Sequence, residues 1–214
     1  PYIDDPDPMV RNPQPNTKYY ISQNVEVKNS DYLKLAGCQV VIESDISIKV
    51  DLGCTLEITN DGSSASHLFA CSGMWKGIIN DGGTVKIMPS GTYPTKIEHA
   101  ELAILSDGGF VKIRFAEFDH NYIGITLANG NFDYSSSTSS EGLFGIKFKC
   151  TDGVLSRGSF AGMPSLAHIQ LENVTGLVIG SSGGTDGSYR NEFSDATYGI
   201  LSHNSSAVIK NNYF

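Results

Sequence analysis

The sequence predicts an all-β protein, a parallel β-helix of about seven rungs with an extended, proline-rich N-terminal lead-in, and the general handedness of parallel connections makes it a right-handed parallel β-helix. Three observations favour this fold: a phrase that recurs at the length of one coil, turn signals between short segments, and strands of alternating polarity. At 214 residues one domain is expected, with residues 1–31 as the lead-in and residues 32–214 as the β-helix.

The recurring phrase runs from an apolar residue through a polar corner to a small residue and an isoleucine. Two copies, residues 97–104 and 118–125, align position for position without a gap, and residues 193–200 form a third copy. Leu143-Phe144-Gly145-Ile146 matches the end of the phrase. Repeats of about 20 to 50 residues are typical of solenoids, and because this unit is strand-like we expect stacked β-coils.

The segments along the chain follow the order that stacked coils require. Proline is frequent at the start, and because proline cannot donate to a strand ladder this stretch is expected to be extended. Residues 19–27 are expected to add a capping strand, and a regular rhythm of strands and turns begins at Tyr32. Turn signals lie at residues 60–62, 80–83, 106–109, 129–130 and 151–153.

Between the turns, polar and apolar residues alternate as they do in half-buried strands. Val111, Ile113 and Phe115 are expected inside, and Lys112 and Arg114 outside. Two segments break the rhythm, since residues 130–142 are rich in serine and residues 181–190 are rich in glycine. Both are expected to protrude as loops from one corner of the coil, where solenoids place binding features.

The four cysteines are predicted to pack in the core as a ladder of stacked free thiols. Cys38, Cys54 and Cys71 are almost evenly spaced, each close to one short rung from the next, and Gly37-Cys38 is echoed by Gly53-Cys54. Since neighbouring rungs lie about 4.8 Å apart, a disulfide between stacked cysteines is the alternative. No C-x-x-C motif or close Cys/His pair indicates zinc, and no metal site is predicted.

The composition argues against several classes of function. A net charge of −8 and a pI near 5.0 disfavour a nucleic-acid partner, which needs a clustered basic surface. Because no apolar run is long enough to cross a bilayer, no membrane span is predicted. The sequence ends in mid-repeat at Phe214, so we expect a fragment of a longer solenoid, or end-to-end stacking on a partner through the C-terminal rung.

Three phrases follow one another in the middle of the chain: Met74-Trp75-Lys76-Gly77-Ile78-Ile79, Gly82-Gly83-Thr84-Val85-Lys86-Ile87 and Lys96-Ile97-Glu98-His99-Ala100. This succession resembles secreted right-handed parallel β-helix proteins, a pectate-lyase-like solenoid fold found on the surfaces of bacteria that use type IX secretion. The resemblance covers residues 37–214. It implies the fold, a secreted or cell-surface location and an adhesin role, and some relatives in the wider fold are polysaccharide lyases or hydrolases.

The first candidate site consists of two polar corners, Glu98-His99 and Asp119-His120, with Ser194-Asp195 at the same place in the third copy. If adjacent coils carry the first two corners, their carboxylates lie about 5 Å apart. Carboxylates at this spacing can act as acid and base, and together with imidazoles they could hold a metal. We favour the alternative that they are structural corner residues bonded to the backbone, because the resembled group carries the same phrase.

The second candidate is a set of outward basic side chains, namely Lys86, Lys112, Arg114, Lys147 and Lys149. A β-helix lyase uses Lys or Arg to promote proton removal and neutralises the substrate carboxylate with calcium or another basic group. No compact group of outward acids accompanies these side chains, so a solvated face that discourages edge pairing is favoured over catalysis. Binding of acidic glycans along this face is a third interpretation.

The third candidate is a group of glycan-binding side chains: Trp75, Tyr134, Tyr189, Arg190 and Tyr198. Trp75 is the only tryptophan and could serve as a sugar platform, although packing at a rung corner is favoured for it. The tyrosines lie in or near the protruding loops and are the better glycan contacts.

These observations together favour a secreted or bacterial cell-surface protein with a structural or adhesin role, binding glycans through the two protruding loops. The first alternative is a polysaccharide lyase that uses Lys112, Arg114 or the Glu98/Asp119 pair, and the second is a filament subunit. An enzyme needs its base, its neutralising group and a groove on one face, whereas a stalk leaves polar residues dispersed. No cofactor is predicted; no motif indicates calcium, and calcium dependence stays open.

Overall fold

The chain winds into a parallel β-helix of about seven coils, bounded by three parallel sheets. The computed structural model describes residues 13–89, 93–130, 142–180 and 190–214. Successive strands belong to different sheets, and every third strand pairs with its equivalent one coil away. The predicted all-β solenoid is thereby confirmed.

The three sheets contain eight, seven and seven strands. Sheet A consists of β1 (Lys18–Ile21), β4 (Gln39–Ile42), β7 (His67–Ala70), β10 (Thr95–Glu98), β13 (Ala116–Asp119), β16 (Lys147–Lys149), β19 (Asn191–Phe193) and β22 (Asn212–Tyr213). Sheet B consists of β2 (Val25–Val27), β5 (Ser47–Asp51), β8 (Gly77–Asp81), β11 (Leu102–Asp107), β14 (Ile123–Ala128), β17 (Ser165–Glu172) and β20 (Ala196–His203). Sheet C consists of β3 (Tyr32–Ala36), β6 (Thr55–Thr59), β9 (Thr84–Ile87), β12 (Phe110–Arg114), β15 (Leu143–Phe144), β18 (Leu177–Ile179) and β21 (Ala207–Ile209). A 3₁₀ turn, η1 (Gly158–Phe160), lies between β16 and β17.

Alternating polarity turns one side of each strand toward a continuous apolar core. In β12, Val111 and Ile113 are buried while Lys112 and Arg114 are partly exposed, as predicted. The expectation for Phe115 is wrong, because this residue leaves the strand at a corner with φ of 53° and is partly exposed. Its ring packs edge-on against Phe144, with ring centroids 6.1 Å apart.

The recurring phrase marks the same place in successive coils. Ile97 pairs in register with Phe118 in sheet A, and Ile104 pairs with Ile125 in sheet B. The third copy keeps these positions, with Phe193 in sheet A and Ile200 in sheet B. The coil that the two aligned copies predict is therefore present between β10 and β13.

Two shorter matches in the sequence do not mark equivalent positions. Leu143-Phe144 forms β15 in sheet C, whereas the matching residues of the phrase lie in sheet B. Cys38 precedes β4 of sheet A and Cys54 precedes β6 of sheet C, so the Gly-Cys echo joins two different corners. The cysteines are free, as predicted, and Cys38, Cys54 and Cys150 are buried, but Cys71 is exposed. A stacked cysteine ladder is thus wrong.

The described part of the N-terminal segment contributes two strands. β1 pairs with β4 and β2 pairs with β5, and these strands bury Tyr19, Ile21, Val25 and Val27 over the first coil. Residues 1–12 of the predicted lead-in lie outside the described residues. At the other end of the chain, the last coil exposes Val208, Ile209, Tyr213 and Phe214. Nowhere in the described ranges is a helix long and apolar enough to span a membrane.

Candidate functional site

The corner between sheets A and B brings the first candidate residues together. Glu98 and Asp119 end β10 and β13, and they are in-register partners on adjacent coils, as the sequence predicts. His99 and His120 follow with φ of 58° and 52°, and their rings stack with centroids 5.4 Å apart. The chain therefore presents two carboxylates and two imidazoles on one corner.

Ser194-Asp195 does not join this cluster. Phe193 pairs with Phe148 of β16, and Phe148 pairs with Phe118 of β13, so the coil that carries Lys149 lies between Asp119 and Ser194. Asp195 still has the left-handed backbone of the two histidines, with φ of 60°. The third copy thus shares the shape of the corner but adds no side chain to the site.

Glu98 is held as a carboxylate by two basic neighbours. Its Oε1 lies 2.6 Å from Lys96 Nζ, and its Oε2 lies 2.5 Å from His67 Nε2. Burial disfavours the charge on Glu98, but His67 and Lys96 outweigh burial and lower the pKa of this carboxyl to about 2. A carboxyl group with that pKa is ionised near neutral pH and cannot serve as a general acid there.

Asp119 is buried and bonded within the protein. Its Oδ1 accepts a hydrogen bond from the Thr151 backbone N–H at 3.1 Å, and its Oδ2 accepts one from the Thr151 hydroxyl at 3.0 Å. Lys149 Nζ lies 3.6 Å from Oδ2. His120 Nδ1 is 2.9 Å from Oδ1 but lacks hydrogen-bond geometry. The carboxylate therefore ties β13 to the turn that follows β16.

Lys96 and Lys149 complete an ion-pair network across the outer surface of sheet A. Lys96 Nζ is 3.4 Å from Glu117, and Lys149 Nζ is 3.1 Å from the same carboxylate. Burial lowers the pKa of each amine, but the neighbouring carboxylates raise it by more, so both pKa values lie above the ordinary value for lysine. Amines with a raised pKa are poor general bases near neutral pH.

Sequence reasoning did not include Lys96, Glu117 or Thr151 in this site. Lys96 and Glu117 lie two positions before Glu98 and Asp119, on the same outer side of paired strands. Extending each of the two aligned copies by one residue toward the N-terminus includes Lys96 and Glu117, so the sequence did contain the information needed to add them to the site. Thr151 could not be found in this way, because it reaches Asp119 from a turn outside the repeat.

One set of side chains in the site has the composition of a metal centre. Glu98, Asp119 and His120 each offer a ligand atom, and these atoms lie within 4.8 Å of one another. Carboxylate and imidazole groups suit divalent cations. Lysine, histidine and threonine groups already contact the carboxylate oxygens, so a cation would compete with the ion pairs described above.

A loop of residues 151–164 covers the same corner. Arg157 Nη1 donates hydrogen bonds to the carbonyls of Ala70 at 2.8 Å and Cys71 at 3.2 Å, on an earlier coil. The Phe160 ring stacks on Tyr122, with centroids 4.0 Å apart. Burial, followed by the charge of Arg157, lowers the pKa of His99 to about 4. His99 is therefore neutral at pH 7.

The outward basic residues lie on two sheets. Lys86, Lys112 and Arg114 belong to sheet C, whereas Lys147 and Lys149 belong to sheet A with Glu98 and Asp119. The expectation of a single basic face is therefore wrong, because successive strands of the chain belong to three different sheets in turn. Lys112 and Arg114 do not converge with the Glu98/Asp119 pair on one surface.

The aromatic candidates have different environments. Trp75 is fully buried, and its Nε1 donates a 2.9 Å hydrogen bond to the Glu98 carbonyl, so it packs in the core and offers no surface to a sugar. Tyr198 is exposed on β20, and Arg190 is exposed with its Nε 3.4 Å from Asn211 Oδ1. Tyr134 and Tyr189, with most of the two predicted loops, lie outside the described residues.

Comparisons of the chain with protein-family models, with curated proteins and with solved structures find no match.

Proposed function

We propose that this protein is a non-catalytic β-helix scaffold, secreted or displayed on a bacterial surface, that serves as a stiff adhesin segment and binds glycans. The observation that supports a non-catalytic role is the ion-pair network of Lys96, Glu98, Glu117, Asp119 and Lys149 on sheet A. The extracellular location rests on the resemblance of residues 74–100 to type IX-secreted β-helix proteins.

The chemistry of that network is unfavourable for proton transfer. A general acid or base works best when its pKa is near the working pH. The pKa of Glu98 is about 2, and the pKa values of Lys96 and Lys149 are raised, so each of these groups is charged and paired at neutral pH. The same contacts do explain a structural role, because they join three adjacent coils of sheet A.

In the lyase alternative, the residues that would have to act together do not lie on one face of the β-helix. A lyase would combine a basic residue of sheet C, such as Lys112 or Arg114, with a neutralising group next to the same sugar. The carboxylate pair and the lysines of its network project from sheet A instead. The arrangement therefore favours dispersed polar groups over a catalytic centre.

An ultraviolet assay tests this proposal. The protein is incubated with polygalacturonate, alginate and hyaluronate, with and without calcium, and absorbance at 235 nm is followed beside a glycan array. We expect no new absorbance and binding to a subset of array glycans. Product formation that Lys112→Ala or Arg114→Ala abolishes, while Lys147→Ala does not, would establish a lyase. If neither assay gives a signal, the protein would be a scaffold that does not bind glycans.

End-to-end assembly is a second candidate, and one observation favours it. The last coil exposes Val208, Ile209, Tyr213 and Phe214 in or next to the edge strands β21 and β22, and exposed apolar edge strands are sites of strand addition. Sedimentation velocity over a hundredfold range of protein concentration tests it. Rods that grow with concentration would support a filament, whereas a monomer at every concentration would remove it.

A further inference from the structure

A loop of the sixth coil reaches past two coils to the third. The coils are numbered by their strands in sheet A, so β7 begins the third coil, β10 the fourth, β13 the fifth and β16 the sixth. Residues 151–164 leave the sixth coil after β16 and rejoin it at β17. Three steps of about 4.8 Å separate β7 from β16, which is about 14 Å along the axis. Since the coils of a solenoid contact only their neighbours, a bond across this distance adds a connection that stacking does not provide.

The guanidinium of Arg157 is the polar anchor of this loop on the third coil. Pairing between β7 and β10 ends at Phe69 and Glu98, so the Ala70 carbonyl lies one residue beyond that ladder. Arg157 Nη1 donates a hydrogen bond to this carbonyl at 2.8 Å and one to the Cys71 carbonyl at 3.2 Å. Hydrogen bonds from a charged donor are stronger than those between neutral groups. The loop therefore supplies a bond at the position where strand pairing has stopped.

An apolar anchor lies beside the polar one. Leu155 is 1% exposed and packs with Met74 of the third coil and Cys150 of the sixth. Gly158 has φ of 67°, and a Cβ at this position would lie 3.0 Å from Met74 Cγ, so the backbone of the loop rests directly on Met74. Lifting the loop would expose the side chains of Leu155, Met74 and Cys150 to water together, which is unfavourable for apolar groups.

The same loop is attached to the fifth coil. The Phe160 ring stacks on Tyr122 with ring centroids 4.0 Å apart, and the first residue of the loop donates two hydrogen bonds to the Asp119 carboxylate. Within the loop, the Leu155 N–H donates to the Met163 carbonyl at 2.7 Å, which closes the segment into a compact unit. The loop can therefore transmit a pull on the third coil to the fifth and sixth coils.

We propose that residues 151–164 form a strap that makes the third to sixth coils unfold as one cooperative unit. A coil held only by its neighbours can open on its own when it lies next to an unfolded end of the stack. With the strap in place, opening the third coil also breaks the bonds of Arg157 and the contacts of Leu155, which belong to the sixth coil. The inference concerns the order of unfolding and does not depend on the proposed adhesin role.

Native-state hydrogen exchange, read by mass spectrometry of peptides, tests the strap. Exchange of the β7 and β16 amides is followed in the whole chain at several urea concentrations below the unfolding transition. Arg157→Met removes the polar anchor but keeps an unbranched side chain, and Leu155→Ala removes the apolar anchor. Arg190→Met is the matched control, because Arg190 Nε lies 3.4 Å from Asn211 Oδ1 on the adjacent coil and outside the strap. Far-UV circular dichroism checks that each variant is folded.

In the wild type we expect β7 and β16 to exchange through one common opening with the same dependence on urea. In both strap variants β7 should exchange about tenfold faster than β16, because the third coil then opens while the sixth stays folded. The control should keep the common opening. Separate openings in the wild type, separation in the control, or equal acceleration of β7 and β16 in the strap variants would overturn the inference. Equal acceleration would mean that the loop adds stability without coupling the coils.

Discussion

Single buried polar residues hold the corners of the coil by bonding to the backbone. Asn121 accepts a hydrogen bond from the Ala100 N–H at 2.9 Å and donates one to the Ile97 carbonyl at 2.9 Å. Asn191 likewise accepts from the Ile146 N–H at 2.9 Å at a different corner. Because a buried backbone group without a partner costs free energy, these amides allow the chain to turn inside a packed structure.

Substitution of Trp75 measures how much a side-chain hydrogen bond to the backbone contributes to the free energy of unfolding when it lies in the core. In Trp75→Phe the Glu98 carbonyl loses the indole donor and a cavity remains, so we expect the free energy of unfolding to fall by about 3 kcal/mol. Urea unfolding followed by circular dichroism measures the change, since the only tryptophan is lost. The exposed Tyr198→Phe serves as control and should stay within about 0.5 kcal/mol. Equal values for both variants would refute the role of Trp75.

His99 should make stability depend on pH. Its folded pKa is about 4, below the value of about 6.5 in an unfolded chain, so the unfolded state binds a proton first as the pH falls. The free energy of unfolding should therefore decrease between about pH 6.5 and 4. His99→Gln should reduce the slope of unfolding free energy from pH 7.5 to 5.5, measured with urea. His168 also has a pKa lowered by burial, so a residual slope is expected, and an unchanged slope would exclude His99.

The loop of residues 151–164 is the element that joins distant coils. Leu155 is buried with Met74 and Cys150 in a small cluster outside the main core. Arg157 reaches the carbonyls of Ala70 and Cys71, which belong to a much earlier part of the sequence. These contacts fasten the loop near the A–B corner, where the charge of Arg157 contributes to the lowered pKa of His99.

Thiol reactivity reports on this loop. We expect Cys71 to react rapidly with Ellman's reagent and Cys38, Cys54 and Cys150 to react slowly, because only Cys71 is exposed. Leu155→Ala should speed the reaction of Cys150 by removing its cover, while Leu52→Ala, at an exposed position, should not. Mass spectrometry of labelled peptides identifies each thiol. No acceleration at Cys150 would show that Leu155 does not protect it.

The whole molecule is a stack in which each coil contacts its neighbours. Four phenylalanines form a column through the last coils, with ring centroids 5.2 Å apart for Phe118 and Phe148, 5.1 Å for Phe148 and Phe193, and 4.8 Å for Phe193 and Phe214. In such an array stability is approximately a sum of terms within and between neighbouring units. A central coil should therefore contribute more than the last one.

Truncation of this column at two places tests the stacking. Phe148→Ala removes a buried ring with aromatic neighbours on both sides, and we expect a loss of about 3–5 kcal/mol in the free energy of unfolding. Phe214→Ala removes a ring that is 66% exposed and stacked on one side, and it should cost less than about 1 kcal/mol. Urea unfolding monitored by circular dichroism compares them. Similar losses would contradict the nearest-neighbour description.

The sequence alone determined the solenoid, and it predicted that the two acidic corners are adjacent if no coil lies between them. The alternation in residues 111–114 and the gapless alignment of residues 97–104 with residues 118–125 are local and regular. Strand pairing shows that one complete coil separates the copies, so Glu98 and Asp119 are in-register partners on neighbouring strands.

Only the tertiary structure decided which sheet each segment of the chain belongs to. In sheet A one short coil separates Lys18 from its in-register partner Gln39, whereas a coil more than twice as long separates Lys147 from Glu192. Because coil length varies with the turns, sequence spacing could not assign Leu143-Phe144 or Cys54 to a sheet. For the same reason it could not show that lysines of similar pattern divide between sheet A and sheet C. Strand pairing fixes each sheet through hydrogen bonds and core contacts between residues far apart in the chain.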